Sequence, residues 1–233
     1  MQPFSCILLA GGLSSRMGRD KALLQLPNTT DSASNDVNDL LQHMMHLAQL
    51  SGAQQVVVSR DPNLRVAAHA DYQFVADQFP RLGPLAGLHA CLPQCHYERV
   101  LVLPVDMPLL SVGLLTNLAS STTSSYFAGY EMPCLLYRSD ALQHFLLEQL
   151  TSQTARRSVR SLLHWLDAEA LPIPSHTIPS HTIPSHNIPS DNNEFTLMNT
   201  NSPSDWQMFI ELRAHQRNTQ SRMQDGERGR NEP

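Results

Sequence analysis

Apolar residues along this chain fall into two patterns. One consists of short runs without polar alternation: Ile7-Leu8-Leu9, Val56-Val57-Val58 within Gln54–Ser59, Tyr72–Val75, and Arg99–Val105. Strands of this kind are buried on both faces, as in a parallel sheet. The other pattern has helical spacing. Leu40, Leu41, Met44, Met45, Leu47 and Ala48 predict a helix from about Val37 to Leu50, with Asp36 or Asn38 as its cap. Further helices are predicted from Gly83-Pro84 to about Leu92, over Val112–Ser120, Asp140–Leu150 and Val159–Leu166, with a short one at Leu64–Ala70. Tyr126–Gly129 and Pro133–Tyr137 read as strands or an arm, and Phe195–Met198 as a last strand. Pro203 then stands near the start of a last helix, Ser204 to about Arg213. Strand–helix alternation with apolar strands predicts an α/β fold with a mainly parallel sheet.

Three stretches interrupt this pattern. The segment after Leu24 is rich in Asn, Asp, Ser and Thr and reads as a loop. Pro174 to Ile188 is a three-fold pentapeptide repeat, P-S-H-T-I, P-S-H-T-I, P-S-H-N-I. Proline at every fifth residue forbids a regular helix or ladder, so the repeat region, about 174–191, reads as an extended linker or an expanded surface loop. Residues 214–233 are polar and read as a disordered tail. The expected organisation is a single domain over residues 1–213 followed by that tail.

Composition changes the picture in two respects. The 233 residues carry a net charge of −5, so there is no overall basic field for nucleic acid, and any attraction for phosphate must be local. The four cysteines, Cys6, Cys91, Cys95 and Cys134, form neither a zinc pattern nor a disulfide framework and read as reduced thiols of a cytoplasmic protein. No secretory signal and no membrane-spanning run are visible.

The candidate chemistry begins where the first strand ends. Gly11 and Gly12 follow Leu9-Ala10, and Arg16, Arg19 and Lys21 come soon after. Glycines admit a ligand close to the backbone, inward amides cradle anions, and the basic side chains grip phosphate oxygens. The chemistry implied is capture of a nucleoside triphosphate. The loop is neither a Walker motif, lacking G-K-[ST], nor the G-x-G-x-x-G dinucleotide fingerprint. Gly11, Ser59, Asp77 and Asp106 each stand at the end of a predicted strand, and in open α/β sheets ligands bind beyond the carboxyl ends of strands. Asp106, turned by Pro108, has the character of a Mg²⁺ ligand, a hard carboxylate completed by phosphate and water. The alternative is a cap on the following helix. Asp77 alone could be a turn residue. Asn199 and Asn201 flank Thr200 and in an extended segment share one face, suited to a ring edge or a phosphate, or else to satisfying a turn.

The string L-A-G-G-x-S-S-R-M-G-x-D-K-x-L resembles the signature loop of the molybdenum cofactor guanylyltransferases, within the larger group of sugar-nucleotide and cofactor nucleotidyltransferases. V-D-M-P at Asp106, G-P-L-A-G after Asp77, and N-T-N-S-P at Asn199–Pro203 resemble further motifs of that family, in the family's order. The resemblance implies a three-layer Rossmann-like nucleotidyltransferase fold, with helices on both faces of a mainly parallel sheet. It implies transfer of GMP from GTP to molybdopterin with release of pyrophosphate, and Mg²⁺ on Asp106. Nucleotide binding would fall to Leu9, Ala10, Gly11, Gly12, Lys21, Ser59, Asp77 and Asp106, with Gly83 and Gly87 giving the nucleotide close approach. Lys21 and Arg16 would stabilise the leaving pyrophosphate. Asn199 and Asn201 would serve the pterin from the far end of the cleft. Arg156, beside Arg157, would meet the substrate phosphate, or else simply stand solvated at a helix start. Ser59 stands where the family often has asparagine. Protein partners implied are other molybdenum cofactor biosynthesis proteins and target molybdoenzymes, with neither nucleic acid nor membrane. The rival readings are cytidylyl transfer to the same pterin, a sugar-phosphate nucleotidyltransferase, and a non-catalytic nucleotide-binding partner that delivers the pterin. Gly11-Gly12 and G-P-L-A-G favour guanine, and retention of Lys21 and Asp106 favours an active enzyme.

Overall fold

The computed structural model describes residues 2–11, 20–26, 39–64, 72–174, 197 and 199–211. Among these residues seven strands form one sheet: β1 (Ser5–Leu9), β2 (Gln55–Ser59), β3 (Gln73–Val75), β4 (Arg99–Pro104), β5 (Ser125–Phe127), β6 (Cys134–Tyr137) and β7 (Glu169–Leu171), in the order β3-β2-β1-β4-β6-β5-β7. β1, β2, β3 and β4 run parallel, β6 is antiparallel to both β4 and β5, and β7 pairs parallel with β5. The expected mainly parallel sheet is present, with β6 the strand that reverses.

Unbroken apolar strands need a hydrophobic layer on each side, and the sheet has both. Cys6, Leu8, Val56, Val58, Leu101 and Leu103 pack on one face against α1 (Leu40–Leu50) and α3 (Val112–Ala119). Ile7, Val57, Val100, Val102, Cys134 and Leu136 pack on the other against α2 (Pro84–Cys91), α4 (Asp140–Thr151) and α5 (Val159–Trp165). Alternate residues of each strand thus feed opposite cores, which is the period-two geometry of the pleat.

The helix starts follow capping chemistry. Ser111, Ser139 and Ser158 each accept a backbone N–H in the first turn of α3, α4 and α5. The cap of α1 is Asp39 rather than the expected Asp36 or Asn38. Its carboxylate accepts from the Gln42 amide at 2.8 Å, and the Gln42 side chain accepts from the Asp39 amide, a complete capping box. α2 is different. It opens on Gly83 at φ +81° with Pro84 in its first turn, and no side chain caps it.

The short helix expected at Leu64–Ala70 shows only a 3-10 turn over Pro62–Leu64, with 65–70 outside the described residues. Of the expected strand Phe195–Met198 only Leu197 is described, and it is buried and belongs to no strand. Residues 203–211 are helical as expected. The repeat from 175 onward and the tail lie outside the described residues. All four cysteines are buried and unbonded to one another. Burial pushes the Cys95 thiol up to about 11 and the Cys134 thiol up to about 12, so these are protonated packing groups rather than nucleophiles. Among the described residues no helix is long and apolar enough to cross a membrane.

Candidate active site

Parallel register brings four strand ends level. Leu9 pairs with Ser59 and with Pro104, and Ser59 pairs with Val75. The residues that follow therefore emerge on one edge: Ala10-Gly11 from β1, Arg60 from β2, Asp77 from β3 and Asp106 from β4. The Val105 amide donates to Leu9 O at 3.0 Å, so the ladder continues to the residue before Asp106.

Asp106 is anchored from both sides. Thr200, fully buried, donates its amide to Asp106 O at 2.7 Å and its hydroxyl to the same oxygen at 3.2 Å. The turn beyond Asp106 is tied to α1 by a 3.0 Å contact between His43 Nε2 and Pro108 O. A carbonyl can only accept, so this nitrogen carries the hydrogen. With its backbone held, the Asp106 carboxylate stays 23% exposed at the edge, and Lys21 Nζ stands 3.4 Å from Oδ2.

Lys21 also donates to Asn201 Oδ1 at 2.8 Å. This corrects the expected separation of the asparagines from the lysine. Asn201 is not at the far end of a cleft; it shares the Lys21 ammonium with Asp106. The reason is the Thr200 anchor, which lays the 199–201 segment across the end of β4. Asn199, on the other side of Thr200, is exposed. The segment is set from below by Asp205, whose carboxylate accepts from the amides of Asn201 at 3.0 Å and Ser202 at 2.7 Å, while Ser202 Oγ accepts from the Asp205 amide. The Ser202 hydrogen bonds hold the Asp205 carboxyl below its ordinary value.

On the other side of β1, Ser59 is buried and its hydroxyl donates to Asp77 Oδ1 at 3.0 Å. Burial raises the Asp77 carboxyl above its ordinary value, and the Ser59 bond opposes the rise. The second carboxylate oxygen is near Gly11, where an added Cβ would lie 3.8 Å from it and 3.3 Å from Ser59 O. Gly87 has a role different from the one expected. A Cβ there would overlap Ser59 Oγ and come within 3.0 Å of Leu9 Cδ2, so this buried glycine admits the serine and the leucine, not a nucleotide. Gly83 has open space at its Cβ position and is required instead by its positive φ.

Arg60 escaped the sequence reading, and Asp20 was read there only as part of the G-x-D-K motif, without a role of its own. Arg60, only 4% exposed, donates to Ala10 O at 3.2 Å and grips both oxygens of Asp20. Asp20 in turn accepts from the Ala22 amide and caps the turn Lys21–Leu23. The available signal was a charged residue directly after the apolar run V-V-V-S, on the ligand edge of the sheet.

Leu9 ends β1 half-buried, and Ala10 is buried with its amide donating to Ser59 O at 3.2 Å. Gly12 and Arg16 lie outside the described residues, as does Arg19. Arg156 is brought together with Arg160, His164, Tyr126 and Tyr130 around a separate cleft of about 560 Å³ between the end of β5 and α5. Arg157 does not line it; its guanidinium donates to the carbonyls of Gln149 and Ser152 and joins the end of α4 to the start of α5.

An ammonium, two carboxylates and polar side chains gathered at the ends of parallel strands, Lys21, Asp106, Asp77, Asn201 and Ser59, suit a nucleotidyltransferase. The fold agrees. The chain is similar to a nucleotidyl transferase from Methanothermobacter thermautotroptrophicus, with TM-score 0.63 and 18% identity, covering 92% of this chain and 98% of that one. It is also similar to the 2-C-methyl-D-erythritol 4-phosphate cytidylyltransferase of Thermus thermophilus, with TM-score 0.58 and 14% identity, covering 89% and 97%.

Family membership is narrower. The chain belongs to the MobA-like NTP transferase domain family, which it matches over residues 6–170. It is 32% identical over 212 residues to the molybdenum cofactor guanylyltransferase of Xanthomonas euvesicatoria pv. vesicatoria, covering 90% of this chain and 95% of that one. It is 31% identical over 170 residues to a probable molybdenum cofactor guanylyltransferase of Opitutus terrae, covering 69% and 76%.

Proposed function

We propose that this nucleotidyltransferase transfers GMP from GTP to the terminal phosphate of molybdopterin. A pterin phosphate oxygen attacks the α-phosphorus, the bond from that phosphorus to the β-phosphate oxygen breaks, and pyrophosphate leaves. The attacking group is already an anionic oxygen, so no strong base is needed. The work of the protein is orientation and neutralisation of charge. The observation that carries the reading is the meeting of Lys21, Asp106 and Asn201 at the end of β4. Lys21 neutralises charge on the leaving pyrophosphate, assisted by Arg16. Gly11 and Gly12 hold the triphosphate by their backbone, on the end of β1 where Leu9 and Ala10 are fixed by their own backbone hydrogen bonds, and Asp77, oriented by Ser59, accepts from the guanine edge. Asn201 and Asn199 face the pterin, and Arg156 supports its phosphate from the neighbouring cleft.

Mg²⁺ suits the donor set at Asp106. Among the described residues no group of three or more metal-ligating side chains exists, so this is not an all-protein cage. Magnesium is characteristically bound by one or two carboxylates plus phosphates and water, and the partly exposed Asp106 carboxylate would be the protein's share of that set. When bound it supplies charge neutralisation across the substrate phosphates. Ligands would be GTP and molybdopterin, and protein partners the other molybdenum cofactor enzymes and the recipient molybdoenzymes. The test is pyrophosphate release with molybdopterin and GTP, CTP or ATP, with Mg²⁺ present or chelated. GTP-selective, Mg²⁺-dependent release supports the reading, and CTP selectivity would replace it with cytidylyl transfer.

A further inference from the structure

We propose that Arg60 is a positioning residue whose guanidinium staples the two ends of the segment from Ala10 to Asp20 and thereby sets where Lys21 stands. This rests on reading Lys21 as the phosphate-facing cation of the proposed reaction.

The backbone of Arg60 is fixed first. It follows the last residue of β2, and its amide donates to Val75 O at 2.9 Å, which locks it between the ends of β2 and β3. From there the side chain runs under the edge of the sheet, 4% exposed. A buried arginine demands partners, and these partners belong to one loop. Nη1 donates to Ala10 O at 3.2 Å and to Asp20 Oδ1 at 3.2 Å, while Nη2 donates to Asp20 Oδ2. Ala10 lies one residue before Gly11, and Gly11 and Asp20 are the described residues on either side of the stretch 12–19. The fork therefore joins Ala10 to Asp20 directly, ten positions apart in the sequence.

The staple reaches Lys21 through Asp20. The Asp20 carboxylate that receives the guanidinium also accepts from the Ala22 amide at 3.1 Å, capping the single 3-10 turn that carries Lys21. Lys21 then meets Asp106 and Asn201. The end of β2 is thus linked to the end of β4 by hydrogen bonds on either side of the turn Lys21–Leu23, rather than through the sheet. Among the described residues Arg60 Nε is buried without a partner, so the side chain is placed by what its two terminal nitrogens hold and not by satisfaction of all its donors. Lysine cannot replace it: one ammonium lacks the planar fork that spans a carbonyl and both oxygens of a carboxylate.

The experiment compares wild type with Arg60→Lys and Asp20→Asn. The readouts are GTP affinity by calorimetry, molybdopterin affinity, kcat and KM for each substrate, and amide exchange over residues 8–24. Both variants should lose GTP affinity by about tenfold or more, keep pterin affinity within about twofold, and show faster exchange at Ala10 and at residues 20–24. Asp20 is 39% exposed at its side chain, so Asp20→Asn keeps the test alive if the buried Arg60→Lys fails to fold. Wild-type exchange and wild-type GTP affinity in both variants overturn the staple. Equal loss for both substrates with a lowered melting temperature overturns it in favour of a merely structural arginine. Absence of guanylyl transfer by the wild type would overturn the proposed reaction instead, and leaves the exchange result to judge the staple by itself.

Discussion

The parallel half of the sheet and its mixed half end at the same edge but treat polar groups differently. Beyond β1, β2, β3 and β4 the polar residues bind one another: Ser59 to Asp77, Arg60 to Ala10 and Asp20, Lys21 to Asp106 and Asn201. Beyond β5 they line an open cleft in which Arg160 pairs with Glu131, with 83% and 42% of those side chains exposed. The first region has its donors and acceptors oriented before any ligand arrives, which is what charge stabilisation in a transition state requires. The second can adapt.

The comparison breaks most visibly at Asp106. Asp106→Ala should lower pyrophosphate release by about a thousandfold, the scale of a lost charge-stabilising group of several kcal/mol. Circular dichroism should stay native, because the contacts that anchor this position run through its backbone carbonyl. Release within about tenfold of wild type would remove the carboxylate from the chemistry.

Gly87→Ala attacks the preorganised half from beneath. The new methyl would overlap Ser59 Oγ and approach Ser59 Cβ to 3.1 Å and Leu9 Cδ2 to 3.0 Å. Overpacking of this kind costs about 1–3 kcal/mol, more than the helix propensity that alanine returns. The melting temperature should fall and GTP affinity with it, since Ser59 orients Asp77. A stable variant with full GTP affinity would show that the Ser59–Asp77 pair is not part of the cradle.

Asn201→Ala and Asn199→Ala sharpen the contrast by differing from each other. Asn201→Ala removes one hydrogen bond from the Lys21 ammonium, a net effect of about 1.5–3 kcal/mol for a bond to a charged group. It should therefore weaken GTP as well as pterin binding. Asn199, exposed beside it, should affect the pterin alone. Separate titrations check this, and an Asn201→Ala variant with unaltered GTP affinity would restore the division of the site into two independent ends. In the mixed half, Glu131→Gln should change stability by less than about 1 kcal/mol in thermal melts, because the pair it breaks is exposed.

How far these regions were legible in the sequence follows the same division. β1, β2 and β4 announce themselves as unbroken apolar runs, and the rule that ligands bind past strand ends then gathers Gly11, Ser59, Asp77 and Asp106. β7 does not: Glu-Ala-Leu is short, exposed at its first two positions and carries no periodic signal, so only its pairing with β5 makes it a strand. The contact of Asn201 with Lys21 spans 180 positions and depends on where Thr200 docks, which local pattern does not encode. The cap of α1 was legible in type but not in position, since Asp36, Asn38 and Asp39 are equivalent by propensity and tertiary contact chooses among them. Leu40 donates its amide to Leu24 O, which fixes the helix start.

The smallest effect concerns the carboxylate that the preorganised half holds at a cost. Burial raises the Asp77 pKa above its ordinary 3.8, so between that value and the raised one the folded protein binds more protons than the unfolded chain. Stability must then fall as pH rises through this window, because the folded state resists the charge that the unfolded chain accepts freely. Above the window the penalty is constant, and below it the penalty vanishes. Asp77→Asn removes the charge and keeps an oxygen able to accept from Ser59. At neutral pH the ligand-free variant should therefore melt slightly above wild type, and the difference should close as pH drops below the ordinary carboxylate value. Melting curves from about pH 3.5 to 8 test this. The same substitution should weaken GTP binding, since Asp77 is the proposed acceptor for the guanine edge. If the variant melts below wild type at neutral pH, the Asp77 charge is stabilised in the fold, and the cradle is held by an attraction beyond the Ser59 hydrogen bond.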